Sequence, residues 1–325
     1  MCSVVCISPA RAGEKAAAAP KRTFAAVLLH RGTAVGKNAG AYGIYVRSGD
    51  TTWTKITLSN IISFGLGYYG RGSSQRYYLA GGNGVHRSTD GGSTWRTLTG
   101  WRTEEILCVV PDPVDSAVIY AATPFGVFKT IDDGATWLKK ADGFKKWFIQ
   151  RIIMDRDDRR VLYAASEDDM YRSTDGGERW TPLHVGGPEI LALLQHPGHP
   201  EIILAGQEDS GIKYSTDRGA HWRSSRVPFA TSIYTFGASV DGNDLYAAGW
   251  KSGLWRSEDG GVSWAQVWRA DSIEAIYSIF VDPGDRAHMM VGTVGSGVFE
   301  SLDRGHTWRG IGLWGAQVKQ IELYP

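Results

Sequence analysis

Two short acidic runs contain the residues of this chain best suited to acid–base chemistry. They are Glu167-Asp168-Asp169 and Glu208-Asp209, each in a stretch expected to form a loop between strands. Two carboxyl groups facing each other across a cleft can hydrolyse a glycoside, at about 5–5.5 Å with retention and about 6.5–9.5 Å with inversion. Runs of exposed acids are more often solvated loops. Catalysis by Glu167, Asp168, Glu208 and Asp209 is therefore a fallback hypothesis, and the sequence leans against an enzyme.

Aromatic residues beside arginine or lysine recur along the chain and could bind a partner. Tryptophan and arginine are typical anchors of protein interfaces, and aromatic rings also suit carbohydrate stacking. The alternative is that a tryptophan fills a gap in the interior, which we expect for about half of them. The candidate partner-binding residues are Trp101, Arg102, Lys145, Lys146, Trp147, Arg226, Phe229, Trp250, Trp268, Arg269 and Trp314.

The sequence does not indicate a metal, cofactor or nucleic-acid site. His196-Pro197-Gly198-His199 offers two possible metal ligands in a turn, without a third. A Gly-rich phosphate loop, a Gly-x-Ser-x-Gly elbow and a Cys-x-x-Cys pair are all missing. Lys and Arg number 35 against 34 Asp and Glu, so no global field favours nucleic acid or an anionic membrane. No run approaches the roughly 20 apolar residues of a transmembrane helix.

The elements that position these residues are set by an eight-residue repeat. Ser88-Thr89-Asp90-Gly91-Gly92-Ser93-Thr94-Trp95 is one copy, and its closing tryptophan recurs every 42 to 44 residues. A fixed period of roughly 20–50 residues signals a repeat architecture. The other full octets span residues 130–137, 173–180, 215–222, 257–264 and 301–308, and residues 48–53 form a shortened copy.

Each octet is expected to close a tight turn between two strands. Asp and Ser/Thr side chains accept hydrogen bonds from nearby backbone N–H groups, and glycine adopts angles that other residues resist. The tryptophan then begins the next strand and buries about 150–250 Å². We expect the repeated aspartates to pair buried turn N–H groups rather than to act as catalytic acids or metal ligands. They are Asp50, Asp90, Asp132, Asp175, Asp217, Asp259 and Asp303.

The octet motif, Ser/Thr-x-Asp-x-Gly-x-x-Trp, resembles the Asp-box or BNR repeat. Six good copies in register make the resemblance specific, and it covers about nine-tenths of the chain. Asp-boxes occur in sialidases, xyloglucanase-type glycoside hydrolases, sortilin-type receptors and photosystem II assembly-factor-like propellers.

Four short strand signals separated by turn residues fill each period, as in residues 106–137. Four-stranded units repeated radially form a β-propeller. The N-terminal unit, residues 23–58, lacks an apolar first strand, whereas the strand at residues 318–324 lacks partners. We therefore predict an all-β, seven-bladed propeller over residues 23–325, closed when the C-terminal strand completes the N-terminal blade. Octets and first-to-second-strand turns share one face, and the more varied loops of the opposite face are the expected functional surface.

Residues 1–22 lie outside the repeat. Ala10-Arg11-Ala12 before Gly13 has the small-x-small pattern of a signal-peptidase site, but the basic start and a full apolar run are missing. The segment is either the tail of a secretory signal or a disordered tail. Cys2, Cys6 and Cys108 suggest no disulfide framework. Because Asp-box propellers are often extracytoplasmic, we expect a periplasmic or secreted protein.

The relatives imply two functions. Sialidases have six blades and an Arg-Ile/Leu-Pro motif near the start, whereas here only Arg226-Val227-Pro228 is similar and it lies in another blade. Xyloglucanase-type enzymes share the Asp-Pro turn seen at Asp112-Pro113, but place catalytic aspartates between two propellers. The single-ring assembly-factor-like group is similar in length and implies a non-enzymatic scaffold that presents one face to a protein or glycan partner. A glycoside hydrolase acting on a polysaccharide or glycan is the alternative.

Overall fold

The computed structural model describes residues 22–30, 42–56, 61–71, 74–100, 105–227, 231–269 and 271–324. Regular secondary structure in these residues is entirely β-strand, in seven four-stranded antiparallel sheets. Among the described residues, none belongs to a helix long and apolar enough to cross a membrane. The seven sheets are the blades of a β-propeller, which confirms the predicted fold class.

We number the blades in chain order and give the strands of each from the centre outward. Blade 1 contains β28 (Ala316–Tyr324), β1 (Arg22–His30), β2 (Gly43–Arg47) and β3 (Trp53–Lys55). Blade 2 contains β4 (Ser63–Arg71), β5 (Ser74–Gly81), β6 (Gly84–Ser88) and β7 (Arg96–Thr97). Blade 3 contains β8 (Cys108–Pro111), β9 (Ile119–Thr123), β10 (Gly126–Thr130) and β11 (Leu138–Lys140). Blade 4 contains β12 (Ile149–Met154), β13 (Leu162–Ser166), β14 (Met170–Ser173) and β15 (Thr181–Pro182).

The remaining three blades follow the same order. Blade 5 contains β16 (Ile190–Gln195), β17 (Ile203–Gln207), β18 (Gly211–Ser215) and β19 (Arg223–Ser224). Blade 6 contains β20 (Ile233–Ala238), β21 (Leu245–Gly249), β22 (Leu254–Ser257) and β23 (Ala265–Trp268). Blade 7 contains β24 (Ile276–Asp282), β25 (Asp285–Thr293), β26 (Val298–Ser301) and β27 (Arg309–Gly310).

The C-terminal strand closes the ring, as the sequence predicts. β28 pairs antiparallel with β1 from Arg22 opposite Tyr324 to His30 opposite Ala316. The Tyr324 ring stacks on Tyr68 of blade 2 with centroids 4.6 Å apart, and it also meets Phe24 and Tyr77. Aromatic pairs of this kind add to the stabilisation from area burial. The seam between the two ends of the chain is therefore held by both backbone pairing and packed rings.

The octets form the turns between the third and fourth strands of the blades. The Ser88 hydroxyl accepts the buried Gly92 N–H at 2.8 Å and donates to Asp90 Oδ1 at 2.7 Å. Asp90 Oδ1 accepts the exposed Thr94 N–H at 2.8 Å. The same three bonds recur in the other five full octets. The expectation that aspartate pairs the buried N–H is thus wrong: the first residue's hydroxyl does so, and the aspartate orients that hydroxyl.

The shortened copy in blade 1 behaves differently. Asp50 forms ion pairs with Arg309 at 3.1 Å and with Arg47 at 3.5 Å, and the turn is closed by the Ser48 N–H donating to the Thr52 carbonyl. Asp50 is therefore an ion-pair partner and not the turn former that its place in the repeat suggested.

Some tryptophans of the repeat donate a hydrogen bond to a neighbouring blade, whereas those of blades 5 to 7 donate within their own octets. The Trp53 ring nitrogen donates to the Ile311 carbonyl of blade 7 at 2.7 Å, and Trp137 donates to the Leu98 carbonyl of blade 2 at 3.1 Å. The fifth octet residue must be glycine for the same packing: Gly261 has a φ of 90°, and a Cβ there would lie 2.3 Å from Leu204 of blade 5. Each turn is thus fixed both by its own hydrogen bonds and by the adjacent blade.

Candidate functional site

The face opposite the octets carries the connections from second to third strands and from fourth strands to the next blade. We call it the variable face. Among the described residues its most exposed tryptophan is Trp147, 54% exposed, in the connection between β11 and β12. Lys139 Nζ lies 4.2 Å from the Trp147 ring centroid, within the range of a cation–π contact. Lys145 and Lys146 beside it are exposed. The predicted aromatic–basic cluster is therefore present here, with Lys139 as an additional member.

Two more of the candidate tryptophans are partly exposed on this face. Trp250, in the connection between β21 and β22, is 36% exposed, and Lys251 Nζ lies 5.6 Å from its ring centroid. Trp314, in the connection between β27 and β28, is 39% exposed and meets Phe299 edge-on. Phe125, which the sequence reasoning missed, is 60% exposed between β9 and β10. An exposed ring in a tight connection is difficult to distinguish by sequence from one that folds inward.

Other candidates have structural contacts. Trp268 stacks on Trp308 with centroids 4.9 Å apart and contacts Phe299, so it fills the seam between blades 6 and 7. Arg226 has an exposed side chain, but its backbone pairs with Val262 and Trp264 beside the octet of blade 6. Arg269 pairs with Asp271 at the surface. The remaining candidates, Trp101, Arg102 and Phe229, lie outside the described residues.

The four candidate acids divide into two kinds. Asp168 accepts the Tyr171 hydroxyl at 2.8 Å, and Asp209 accepts the Ser232 hydroxyl at 2.8 Å. Asp168 therefore bonds beside its own loop, and Asp209 bonds to the segment that enters blade 6. Glu167 lies 3.6 Å from Lys146 in an exposed pair, and Glu208 donates its backbone N–H to the Glu189 carbonyl. Glu167 and Glu208 are therefore the acids that remain available at the surface.

Glu189 joins these two acids, although sequence reasoning did not single it out. Burial and the negative charges of Glu208 and Glu167 raise the Glu189 pKa, opposed by a hydrogen bond from the Gln150 side chain. Glu189 directly precedes the first strand of blade 5, where the chain turns in from the variable face. Alignment of the repeats could have placed it at the inner rim, but only the fold brings it beside residues of two loops. We call Glu167, Glu189 and Glu208 the acidic rim.

The innermost strands carry bulges at this end of the central channel. In several blades the ladder between first and second strands skips one residue near this end, as at Gln150, Tyr234 and Tyr277. Lys319 is the equivalent residue of β28, and its ammonium lies 3.3 Å from the Tyr277 ring centroid. Below these side chains, a cavity beside Arg151 and Gln320 has only about 10 Å³, room for about one water.

The described residues contain no group of three His, Cys, Asp or Glu side chains placed to hold a metal ion. The histidine pair instead stabilises a turn: His196 Nδ1 accepts the backbone N–H groups of Gly198 and His199, both at 3.1 Å.

Comparison with known proteins shows the fold. No protein-family model and no curated protein matches the chain. Among solved structures, it is similar to an ancestral GH74 enzyme, with a TM-score of 0.60 and 16% identity, covering 72% of this chain and 35% of that one. It is also similar to YCF48 bound to D1 peptide, with a TM-score of 0.58 and 18% identity, covering 75% of this chain and 79% of that one. The chain thus spans about a third of the GH74 enzyme's length. At these identities the likeness is one of fold, and its neighbours include both propeller types that the sequence suggested.

Proposed function

We propose that this propeller is a binding or assembly scaffold whose variable face holds a protein partner, with a glycan as the other possible ligand class. The observation that carries the proposal is Trp147, a large ring left 54% exposed with Lys139 against it. Aromatic anchors supported by cations are typical of interface hot spots. Trp250 with Lys251 provides a second pair on the same face. YCF48, a propeller of similar fold, is described as bound to a peptide, which supports this ligand class.

The test compares exposed apolar residues on the two faces. Trp147→Ala and Trp250→Ala remove the proposed anchors, whereas Ile131→Ala and Leu302→Ala remove side chains that are 65% and 64% exposed in the octets. A partner is first identified by pull-down from the native source together with a glycan array. We expect each tryptophan variant to bind that partner more weakly, with a loss of about 2 kcal/mol or more of binding free energy, and the octet variants to bind it normally. Equal binding by all four variants would place the interface elsewhere.

Glycoside hydrolysis is the second candidate, favoured by the acidic rim. A carboxyl whose pKa is raised, here Glu189, is what a general acid requires, and Glu208 supplies a neighbouring carboxylate. The purified protein should be assayed on β-glucans and sialosides, alongside Glu189→Gln and Glu208→Gln. The scaffold proposal predicts no turnover above background. Hydrolysis that both glutamine variants abolish, and that Trp147→Ala leaves intact, would establish the hydrolase instead.

A further inference from the structure

The outer end of the seam between blades 4 and 5 contains a cleft that departs from the rest of the repeat. It has a volume of about 270 Å³ and is lined by Arg172, Thr174, Asp175, Arg179, Thr181 and Leu183. Strand alternation puts Arg172 and Thr174 on one side of the blade, and Thr181 is the ladder partner of Arg172. Leu183 lies on the same side of blade 4 and contacts Gly219 of blade 5, where its side chain occupies the place that a Cβ would take. This side of blade 4 therefore faces blade 5.

Arg172 occupies a position whose basic residue is ion-paired in other blades. It directly precedes its octet, as Arg87, Lys129 and Arg256 precede theirs. Arg87 pairs with Asp133, Lys129 with Glu178, and Arg256 with Asp244. Arg87 lies in blade 2, and its partner Asp133 is the fourth octet residue of the next blade, blade 3. Arg172 lies in blade 4, and the fourth octet residue of the next blade, blade 5, is Arg218. Arg218 cannot accept a hydrogen bond, and it pairs with Asp155 and Asp157.

Arg172 is consequently left with an unmet hydrogen-bond donor. Its Nε is buried and has no partner in the described part of the chain. The guanidinium lies 6.0 Å from the Tyr163 ring centroid, which orients it without supplying an acceptor. Leaving a buried donor unpaired costs about 1–3 kcal/mol, and more for a charged group. An anion in the cleft that Arg172 lines would compensate the positive charge of this guanidinium, while Nε itself stays buried.

Arg179 adds a second cation at the same cleft. It is the seventh octet residue, where Thr94, Thr136, Ser263 and Thr307 give a hydroxyl to the octet aspartate. The Arg179 side chain instead reaches Asp142 at 3.2 Å, with both side chains more than two-thirds exposed. Such an exposed pair is weak and can rearrange. Asp175 itself accepts the Ser173 hydroxyl and the Arg179 backbone N–H, so one of its oxygens is already engaged by its own turn.

We propose that this cleft binds a tetrahedral oxyanion, phosphate or sulfate, between the Arg172 and Arg179 guanidinium groups with the Thr174 and Thr181 hydroxyls beside them. Guanidinium groups donate parallel N–H bonds that match phosphate and sulfate oxygens. The lining residues carry two cations and one carboxylate, and Asp142, which pairs with Arg179 outside the lining, would have to give up that exposed pair to the anion. This site lies away from the variable face and does not depend on the proposed function.

The experiment measures the thermal midpoint and the calorimetric affinity of the full chain with sodium phosphate and with sodium sulfate, against sodium chloride at equal ionic strength. Arg179→Thr restores the threonine found in three other octets, so it removes a cation while completing the turn. Arg172→Gln removes the other cation. Arg160→Gln is the control, because Arg160 is exposed in the same blade and pairs with Asp158.

We expect phosphate or sulfate to raise the wild-type midpoint more than chloride does. Each cleft variant should bind at least about tenfold more weakly, with Arg179→Thr folded at least as stably as wild type, and Arg160→Gln should bind normally. A response to only one of the two salts would identify which oxyanion the cleft takes. Equal effects of all three salts on the wild type, or unchanged oxyanion affinity in both cleft variants, would overturn the proposal.

Discussion

The two faces of the propeller are held together by different kinds of interaction. On the octet face, six turns use the same three hydrogen bonds, and donor–acceptor distances differ by only a few tenths of an ångström. On the variable face, the connections discussed above differ in length and sequence, although two of them carry a tryptophan in contact with a lysine. The octet turns are set by hydrogen bonds within eight residues and by the same packing on the adjacent blade, whereas the variable face depends on which loops the ring brings together. Side chains that recur in every octet therefore form the turns, whereas side chains that differ from loop to loop are the ones suited to recognising a partner.

The electrostatics of the two faces differ in the same way. Hydrogen bonds from Thr94, Thr136, His221 and Thr307 and from their backbone N–H groups lower the pKa of four octet aspartates to about 2. On the variable face, burial and neighbouring acids raise the Glu189 pKa. The octet carboxylates are stabilised as anions, whereas Glu189 is stabilised in its protonated form.

The largest expected effect comes from deleting residues 318–325, which removes most of β28. The deletion would leave the inner edge of β1 unpaired and would remove the Tyr324 ring from its stack on Tyr68. We therefore expect a sharply lower thermal midpoint and loss of cooperative unfolding. Scanning calorimetry measures both. Removing Pro325 alone is the control. An unchanged midpoint in the longer deletion would mean that both faces survive without closure.

The next prediction separates the two octet side chains. Ser88→Ala leaves the buried Gly92 N–H without an acceptor and should lower the free energy of unfolding by about 1–3 kcal/mol. Asp90→Ala exposes the Thr94 N–H to water and should cost less, under about 1 kcal/mol. Urea unfolding of both variants makes the comparison. A larger loss of unfolding free energy in Asp90→Ala than in Ser88→Ala would show that the carboxylate contributes more to the stability of the turn than the hydroxyl does.

A smaller effect is expected at acid pH. Because the folded pKa of Asp90 is about 2 against an ordinary 3.8, its contribution to stability is complete above pH 3.8 and is lost as pH falls through 2. Asp132, Asp217 and Asp303 should behave alike. Carboxyl-carbon NMR titration measures these midpoints directly. Values near 3.8 would show that the octet hydrogen bonds do not form in solution.

The smallest expected effect is on the variable face and has the opposite sign. Since the folded pKa of Glu189 is raised above 4.5, its ionisation destabilises the fold as pH rises from 4.5 through the folded pKa. Glu189→Gln should therefore be slightly more stable than wild type near neutral pH and no more stable below pH 4. Urea midpoints across this range test it, with Glu201→Gln as an exposed control whose pKa is lowered. The same pH slope in wild type and Glu189→Gln would contradict the proposed rim.

The fold could be predicted from sequence because its determinants are local and repeated. Ser88, Asp90, Gly92 and Trp95 recur at a fixed spacing, and the unpartnered C-terminal strand showed how the ring closes. Within the acidic rim, Glu167 and Glu208 were already candidates from the sequence, but Glu189 could not be predicted because it precedes a buried strand and reaches the other two only through the ring. The solvent exposure of individual tryptophans could not be predicted from the sequence either. Trp147 and Trp268 have similar neighbours in the chain, yet one projects into solvent and the other stacks on Trp308.

Closure by β28 also sets an order of events during synthesis. Blade 1 joins residues 22–55 to residues 316–324, so its innermost place stays vacant until nearly the whole described chain has left the ribosome. Throughout that interval β1 offers the edge around Phe24, Ala25 and Ala26 to any strand that arrives. A neighbouring nascent chain carries the same β28 sequence and can insert it there first. The single seam that completes the ring is thus also the point at which two copies can exchange strands into a domain-swapped dimer.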